Sequence, residues 1–508
     1  MKSPSKPRRT TRKSTAEFTA KDFFLEDASK TLFPLRTNRI LVESGFDKLI
    51  AFIRKNVFGD VGSTFAFLPQ KHVSALKNGW HLRRTVKLDP IAEIFLYDLV
   101  YRNRSLFKRA RSKRRESFGY IFLGGRPLDA TSSYRAFKGA CSEYNQKFKF
   151  SYSFDVASYF NSIYHHDLRS WLEDREANRD DVEAFGKFLR ETNAGRSIDC
   201  LPQGLYPSKM IGSDFLKFID GSNRVKSEIL VRFMDDMVLF GDDRDQLLSD
   251  FYVIQDLLGQ KGLSVNPSKS SFSDAGISDT QEDLGEVRRG LLQKRRTALM
   301  HEYDEDSEEE IEEIRNLSES EIAVLKEMLS RPQLEEHDIE LVLALMGEHS
   351  SDVLVRLNDL MREFPNLAKN IYMFCRHIRD KHSLATMVLN HLKRTPIVPE
   401  YQLFWIGMML EDHLLGTREA SEIANTLFHH AWATPITKAK VLEIPDKRYG
   451  LPELRDEQLK GGNSDWLAWS AAVGARKTKR ATRNYVLKYF KNASPINQII
   501  SEIISGLP

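Results

Sequence analysis

Residues 229–241 read Ile-Leu-Val-Arg-Phe-Met-Asp-Asp-Met-Val-Leu-Phe-Gly, so two adjacent carboxylates sit between two short apolar runs. Each run is rich in β-branched, aromatic and large aliphatic residues, the composition of a strand buried on both faces. Gly241 ends the second run. The spacing predicts a tight β-hairpin with Asp235 and Asp236 at its tip. Two neighbouring acids in so apolar a setting are costly unless their charge is compensated. A divalent cation such as Mg²⁺, which takes carboxylate oxygens, is one compensation. A solvated Asp-Asp turn is the alternative. The rest of the chain decides between them.

The 508 residues are enough for two or three domains, and 41% hydrophobic with 29% charged residues is a globular composition. The net charge of +4 says less than its distribution. Residues 1–13 hold six basic residues and no acid, and residues 101–115 hold eight and no acid. Residues 302–313 hold nine acids, and the stretch from Arg476 to Lys491 is basic again. Several basic blocks together favour a polyanionic partner such as nucleic acid. Cys141, Cys200 and Cys375 are far apart and odd in number, which suits neither a metal site nor a disulfide framework. A reducing interior fits them best, and no apolar run approaches a membrane span. The expectation is a cytoplasmic protein with no membrane partner.

Residues 1–20 read as a disordered basic tail. Apolar residues then recur at helical spacing from Phe23 to Phe58. His81 to Pro90 reads as a strand carrying Arg83, Arg84 and Lys87, which suits phosphate contact or a basic strand edge. A helix from Pro90 follows, then the basic block, a strand at Tyr120–Leu123 and a helix from Ser133 to Gln146. A strand ends near Asp155, with Phe160 five residues on. Pro202-Gln203-Gly204 opens a helix from about Ser208, a loop built for close backbone approach. Gly262-Leu-Ser-Val-Asn-Pro-Ser-Lys269 closes the series. From about Ser318 apolar clusters start every 15–18 residues or so, the spacing of stacked helix pairs.

An Asp with an aromatic five residues on, then Pro-Gln-Gly, an aromatic-X-Asp-Asp hairpin and Gly-Leu-X-X-Asn-X-X-Lys follow one another in the order of a reverse-transcriptase palm. Residues 23–290 resemble that family. The resemblance implies an α+β fingers and palm, an antiparallel sheet with helices, over residues 21–293. An acidic linker at 294–320 and an all-α, helical-repeat (HEAT-like) domain at 321–508 would follow. It implies that Asp155, Asp235 and Asp236 are catalytic and, with the Val156 carbonyl, hold Mg²⁺, with Mn²⁺ as a substitute. Phe160 would bar a 2′-hydroxyl, Gln203 and Gly204 would pack on nucleotide and template base, and Lys269 would lie near the triphosphate. Arg83, Arg84 and Lys87 would bind phosphates from the fingers.

Three departures stand out. Phe233 replaces the usual Tyr, Lys209 replaces the usual Pro, and no thumb is recognisable after Lys269. A palm followed by a helical half resembles the bacterial abortive-infection (Abi) polymerases of the prophage-borne type. That implies antiphage defence, template-independent DNA synthesis from dNTPs, a single-stranded DNA product attached to the protein that primes it, and a homo-oligomer. No single residue is marked as the priming one. The alternatives are an RNA-templated reverse transcriptase of retron or group II intron type, and an inactive palm serving as a nucleic-acid-binding scaffold.

Overall fold

A computed structural model describes residues 17–58, 67–109, 112, 114–199, 201–274, 287–288, 290–292, 294–295, 317–447 and 451–508. The basic tail as far as residue 16 and the acidic block at 302–313 lie outside the described residues. The N-terminal half runs α1 (Ala20–Ala28), α2 (Arg36–Asn56), β1 (Lys71–Leu76), β2 (Leu82–Lys87), α3 (Pro90–Arg102), β3 (Arg115–Phe118), β4 (Phe122–Leu123), β5 (Arg126–Pro127) and α4 (Ala130–Lys147). It continues with β6 (Phe150–Phe154), α5 (Tyr159–Ser162), α6 (His165–Asp174), α7 (Arg179–Thr192), α8 (Tyr206–Phe215) and α9 (Lys217–Asp220). The series closes with β7 (Ile229–Phe233), β8 (Asp236–Gly241), α10 (Arg244–Gly259) and β9 (Ser271–Asp274).

Five strands form the central sheet in the order β3-β7-β8-β6-β9, with β3 parallel to β7 and the other pairs antiparallel. Alternation along β7 and β8 gives the sheet two apolar faces. Leu230, Met237 and Leu239 turn into the main core. Ile229, Val231 and Phe240 turn the other way, against Phe137 of α4. The strand expected at Tyr120–Leu123 shrinks to the two residues of β4. The longer strand of that region, β3, begins at the last residue of the basic block, where charge masked a strand paired in register with β7.

From Glu319 to Ser505 the described chain is helical. Several of these helices pack against the next but one, as Lys381–Arg394 does against Ala420–His429 and Pro435–Leu442 against Trp466–Gly474. The N-terminal apolar core does not end where the sheet ends. Trp466, Trp469, Leu487, Ile496 and Ile503 belong to the same core as α2 and α3, while the helices between Glu319 and Leu442 enclose a second. Gly45 shows how closely the last helix approaches α2, since a Cβ there would lie 2.4 Å from Ile503.

A buried ion cluster ties the two halves. The Glu443 carboxylate accepts the backbone N–H groups of Arg36 (3.1 Å) and Thr37 (2.7 Å), so it caps the first turn of α2. Lys440, fully buried, donates to Glu443 (2.7 Å) and to Glu411, and Arg36 bridges Glu411 (3.2 Å) and Asp412. Removing one member of such a cluster strands the charge it served. Glu443→Ala is therefore expected to cost about 3–5 kcal/mol. Chemical denaturation of wild type and variant checks this, and an unchanged midpoint contradicts it.

Candidate active site

The hairpin register fixes the acids. Phe233 pairs with Asp236, leaving Met234 and Asp235 as a two-residue turn. The expected Asp pair is thus split, Asp235 in the turn and Asp236 at the first position of β8. Met234 takes φ +57°, a conformation that costs a non-glycine residue about 1–3 kcal/mol. Arg232 holds this turn in place. Its side chain is fully buried and donates to the carbonyls of Met234 (3.0 Å) and Ser213 (3.0 Å) and to Asp220 (3.0 Å). A lone Arg inside the run Ile-Leu-Val-Arg-Phe was a legible sign of a buried charge with a dedicated partner, and the sequence reading passed over it.

Asp155 follows β6 directly. Phe154 pairs with Met237, so one step further the two strands bring Asp155 opposite Asp236. Asn266 N–H donates to the Asp155 carbonyl (2.9 Å) and Ala157 N–H to that of Ser264 (2.8 Å). These bonds flank Val156, which itself bridges to Val265. They bring the segment that carries Lys269 over the acid, and Lys269 Nζ donates to Asp155 Oδ2 at 2.7 Å. The other oxygen, Oδ1, is buried with no hydrogen-bond partner among the described residues.

Burial, followed by the charges of Asp236 and Asp155, raises the Asp235 carboxyl to about 6. Asp236 is raised too, mainly by burial, with Lys269 opposing. Hydrogen bonding to Asp155 in turn raises the Lys269 ammonium. One ammonium does not balance three carboxylates, and an orphaned Oδ1 leaves ligand capacity unused. The donor set is all oxygen and suits a divalent cation of the Mg²⁺ type, but the oxygens of Asp155, Asp235 and Asp236 do not all lie within 4.8 Å of one another, so the three side chains must draw together to hold one.

The other expected residues fall in different places. Gln203 and Gly204 form the loop before α8, and the Gln203 carbonyl accepts the Thr85 hydroxyl of β2 (2.8 Å). Gly204 has φ +106°, and a Cβ on it would lie 2.9 Å from Leu32, so only glycine fits. Phe160 is buried, with its ring against Gly212 of α8. Arg83 is half-buried on β2, and its Nε lacks a partner among the described residues. Arg84 is exposed and paired with Asp199 (2.7 Å). Lys87 is a correction: it does not reach phosphates, because it is buried against Glu93 (3.0 Å) and lies over the Trp466 ring. A residue the sequence reading missed is Lys77, in the turn after β1. Burial lowers its ammonium, with Arg83 and Lys269 adding to the shift and Asp235 and Asp155 opposing it, which places it among the site's charges.

The raised Asp235 gives a signed expectation. A carboxyl whose folded value lies above its unfolded one destabilises the metal-free fold once ionised, so the penalty is absent below about pH 4 and complete above about pH 7. Asp235→Asn should stabilise the metal-free protein by on the order of 2 kcal/mol at about pH 7.5, with the gain shrinking as pH falls through 6. Melting curves in a chelator at both ends of that range check it. A variant no more stable than wild type at the higher pH contradicts it.

Residues 110–297 match the family model described as reverse transcriptase (RNA-dependent DNA polymerase). No curated protein matches the chain. Among solved structures, telomerase from Candida albicans with a fragment of telomeric RNA aligns at 12% identity, covering 76% of this chain and 68% of that one, with a TM-score of 0.33. Apo telomerase from Candida tropicalis aligns at 10% identity, covering 75% and 73%, also with a TM-score of 0.33. With the family match over the segment that carries Asp155, Asp235 and Asp236, the chain contains a reverse-transcriptase-type polymerase domain.

Proposed function

We propose that this protein is a Mg²⁺-dependent DNA polymerase that adds dNTPs without a template, primes on itself and serves antiphage defence by abortive infection. A bound divalent ion would activate the attacking hydroxyl and neutralise the triphosphate. Asp155, Asp235 and Asp236 would hold it, and Lys269, paired with Asp155 in the metal-free site, would face the departing pyrophosphate. Phe160 excludes ribonucleotides, Arg83 contributes a cation to the triphosphate, and Arg84 does so once free of Asp199. The C-terminal helices stack in a HEAT-like manner, and the protein acts as a cytoplasmic homo-oligomer.

The observation that carries the template-free reading is the cover over Gly204. Leu32 packs on Gly204, in the loop that the resemblance assigns to the incoming nucleotide and the template base. Leu32 is itself anchored, because the next residue, Phe33, packs edge-on against Tyr401 (5.7 Å) and Phe404 (5.2 Å) of the helical half. A template strand would have to displace an element fastened to both halves of the molecule. An RNA-copying enzyme is the alternative. Incubating purified protein with Mg²⁺ and labelled dNTPs, with and without a defined RNA template and primer, separates the two. Template-free incorporation that vanishes in Asp235→Ala and Asp236→Ala is expected. Incorporation only with template, yielding its complement, would overturn the template-free reading.

A further inference from the structure

Nucleotidyl transfer needs an acceptor hydroxyl held close to the acids, so the hydroxyls around them are informative. Side chains of directly opposed residues share one face of a sheet, with Cβ atoms about 4.5–5.5 Å apart. Phe233 and Asp236 are such a pair. Val238 and Ser153 are the next pair to share that face, and the same alternation, carried one step past Phe154, brings Asp155 to it. The acids therefore open onto the face that α4 covers. Near the start of α4, Tyr134 packs edge-on against Phe233, with ring centroids 5.1 Å apart.

Tyr134 is 43% exposed, and its hydroxyl makes no hydrogen bond among the described residues. Lys138, one turn along, lies over its ring at 5.6 Å. The helix start that carries Tyr134 is fixed: Asp129 caps it through Ser132 N–H (2.6 Å), and Ser133 donates to the Gly119 carbonyl (3.3 Å). Other tyrosines do not combine these properties. Tyr97 and Tyr159 are buried, and Tyr120, which also touches Phe233, is covered by Tyr206 and Lys209. Tyr485 and Tyr489 bond each other far along the helical half. Among the described tyrosines, Tyr134 is the exposed one in contact with the catalytic hairpin.

We infer that the Tyr134 hydroxyl is the nucleophile that receives the first nucleotide. This rests on the self-priming reading above. The phenolic oxygen attacks the α-phosphorus of a dNTP, forming the O–Pα bond as the bond from Pα to the bridging oxygen breaks. Pyrophosphate leaves and the phenolic proton passes to solvent. The product is a tyrosyl phosphodiester with a free 3′-hydroxyl, which attacks the next dNTP in the same way. Because the 5′ end stays fixed on α4, the growing strand leaves the site as an extruded loop.

The test uses full-length protein with Mg²⁺ and α-labelled dNTP, without template. Denaturing gels read label on the protein, and tandem mass spectrometry of digested protein locates the added nucleotide. Expected are a nucleotide on Tyr134 in wild type and loss of protein-bound label in Tyr134→Phe. The variant should melt with wild type, since the hydroxyl it loses has no partner. Label at wild-type level in Tyr134→Phe, or a first nucleotide on another residue, overturns the inference. Wild type that extends a supplied DNA primer yet never labels itself also overturns it, and leaves the polymerase intact. Wild type that incorporates label in neither assay overturns the polymerase reading itself.

Discussion

Holding Asp235 and Asp236 part-buried beside Asp155 is the constraint around which the sheet end is built. Burial raises the Asp235 and Asp236 carboxyls, and the charges of the neighbouring acids add to it. The fold keeps them together by means that do not depend on their charge. Strand register sets Asp236 beside Phe233 and carries Asp155 towards it. Arg232 binds the strained Met234 turn from below, at the carbonyl, and is itself neutralised by Asp220. Lys269 offsets one of the three charges. The remaining imbalance is the site's capacity for a divalent cation.

The helical half takes part in the same construction. It shares a core with α2 and α3 through Trp466, Leu487 and Ile503, and its Glu443 caps α2. It also anchors Phe33, and with it Leu32 over Gly204. A chain of contacts thus runs from Tyr401 through Phe33 and Leu32 to Gly204, two residues before α8. The N-terminal half and the last C-terminal helices are joined by one apolar core.

How much of this was legible varies with distance along the chain. The hairpin was, because two apolar runs around a pair of acids admit few local structures and the ladder follows from them. The helices were, since their periodicity is local. Lys87 was misread because what buries it, Glu93 and Trp466, includes a residue from the far end of the chain. Lys77 was invisible for the same reason. Its turn is readable from Asn78-Gly79, but its nearness to Asp155 and Asp235 is a fact of tertiary packing. The strand β3 was hidden by its own charge. Arg232 was readable and overlooked, since a single cation in a doubly buried strand demands a partner.

In crystals grown with Mn²⁺ and a non-hydrolysable dNTP analogue, anomalous scattering locates the metal without reference to activity. Manganese is expected between Asp155 and the acids Asp235 and Asp236, with Lys269 moved off Asp155 towards the triphosphate. Manganese bound elsewhere, or Lys269 still paired with Asp155 when the nucleotide is bound, would contradict it.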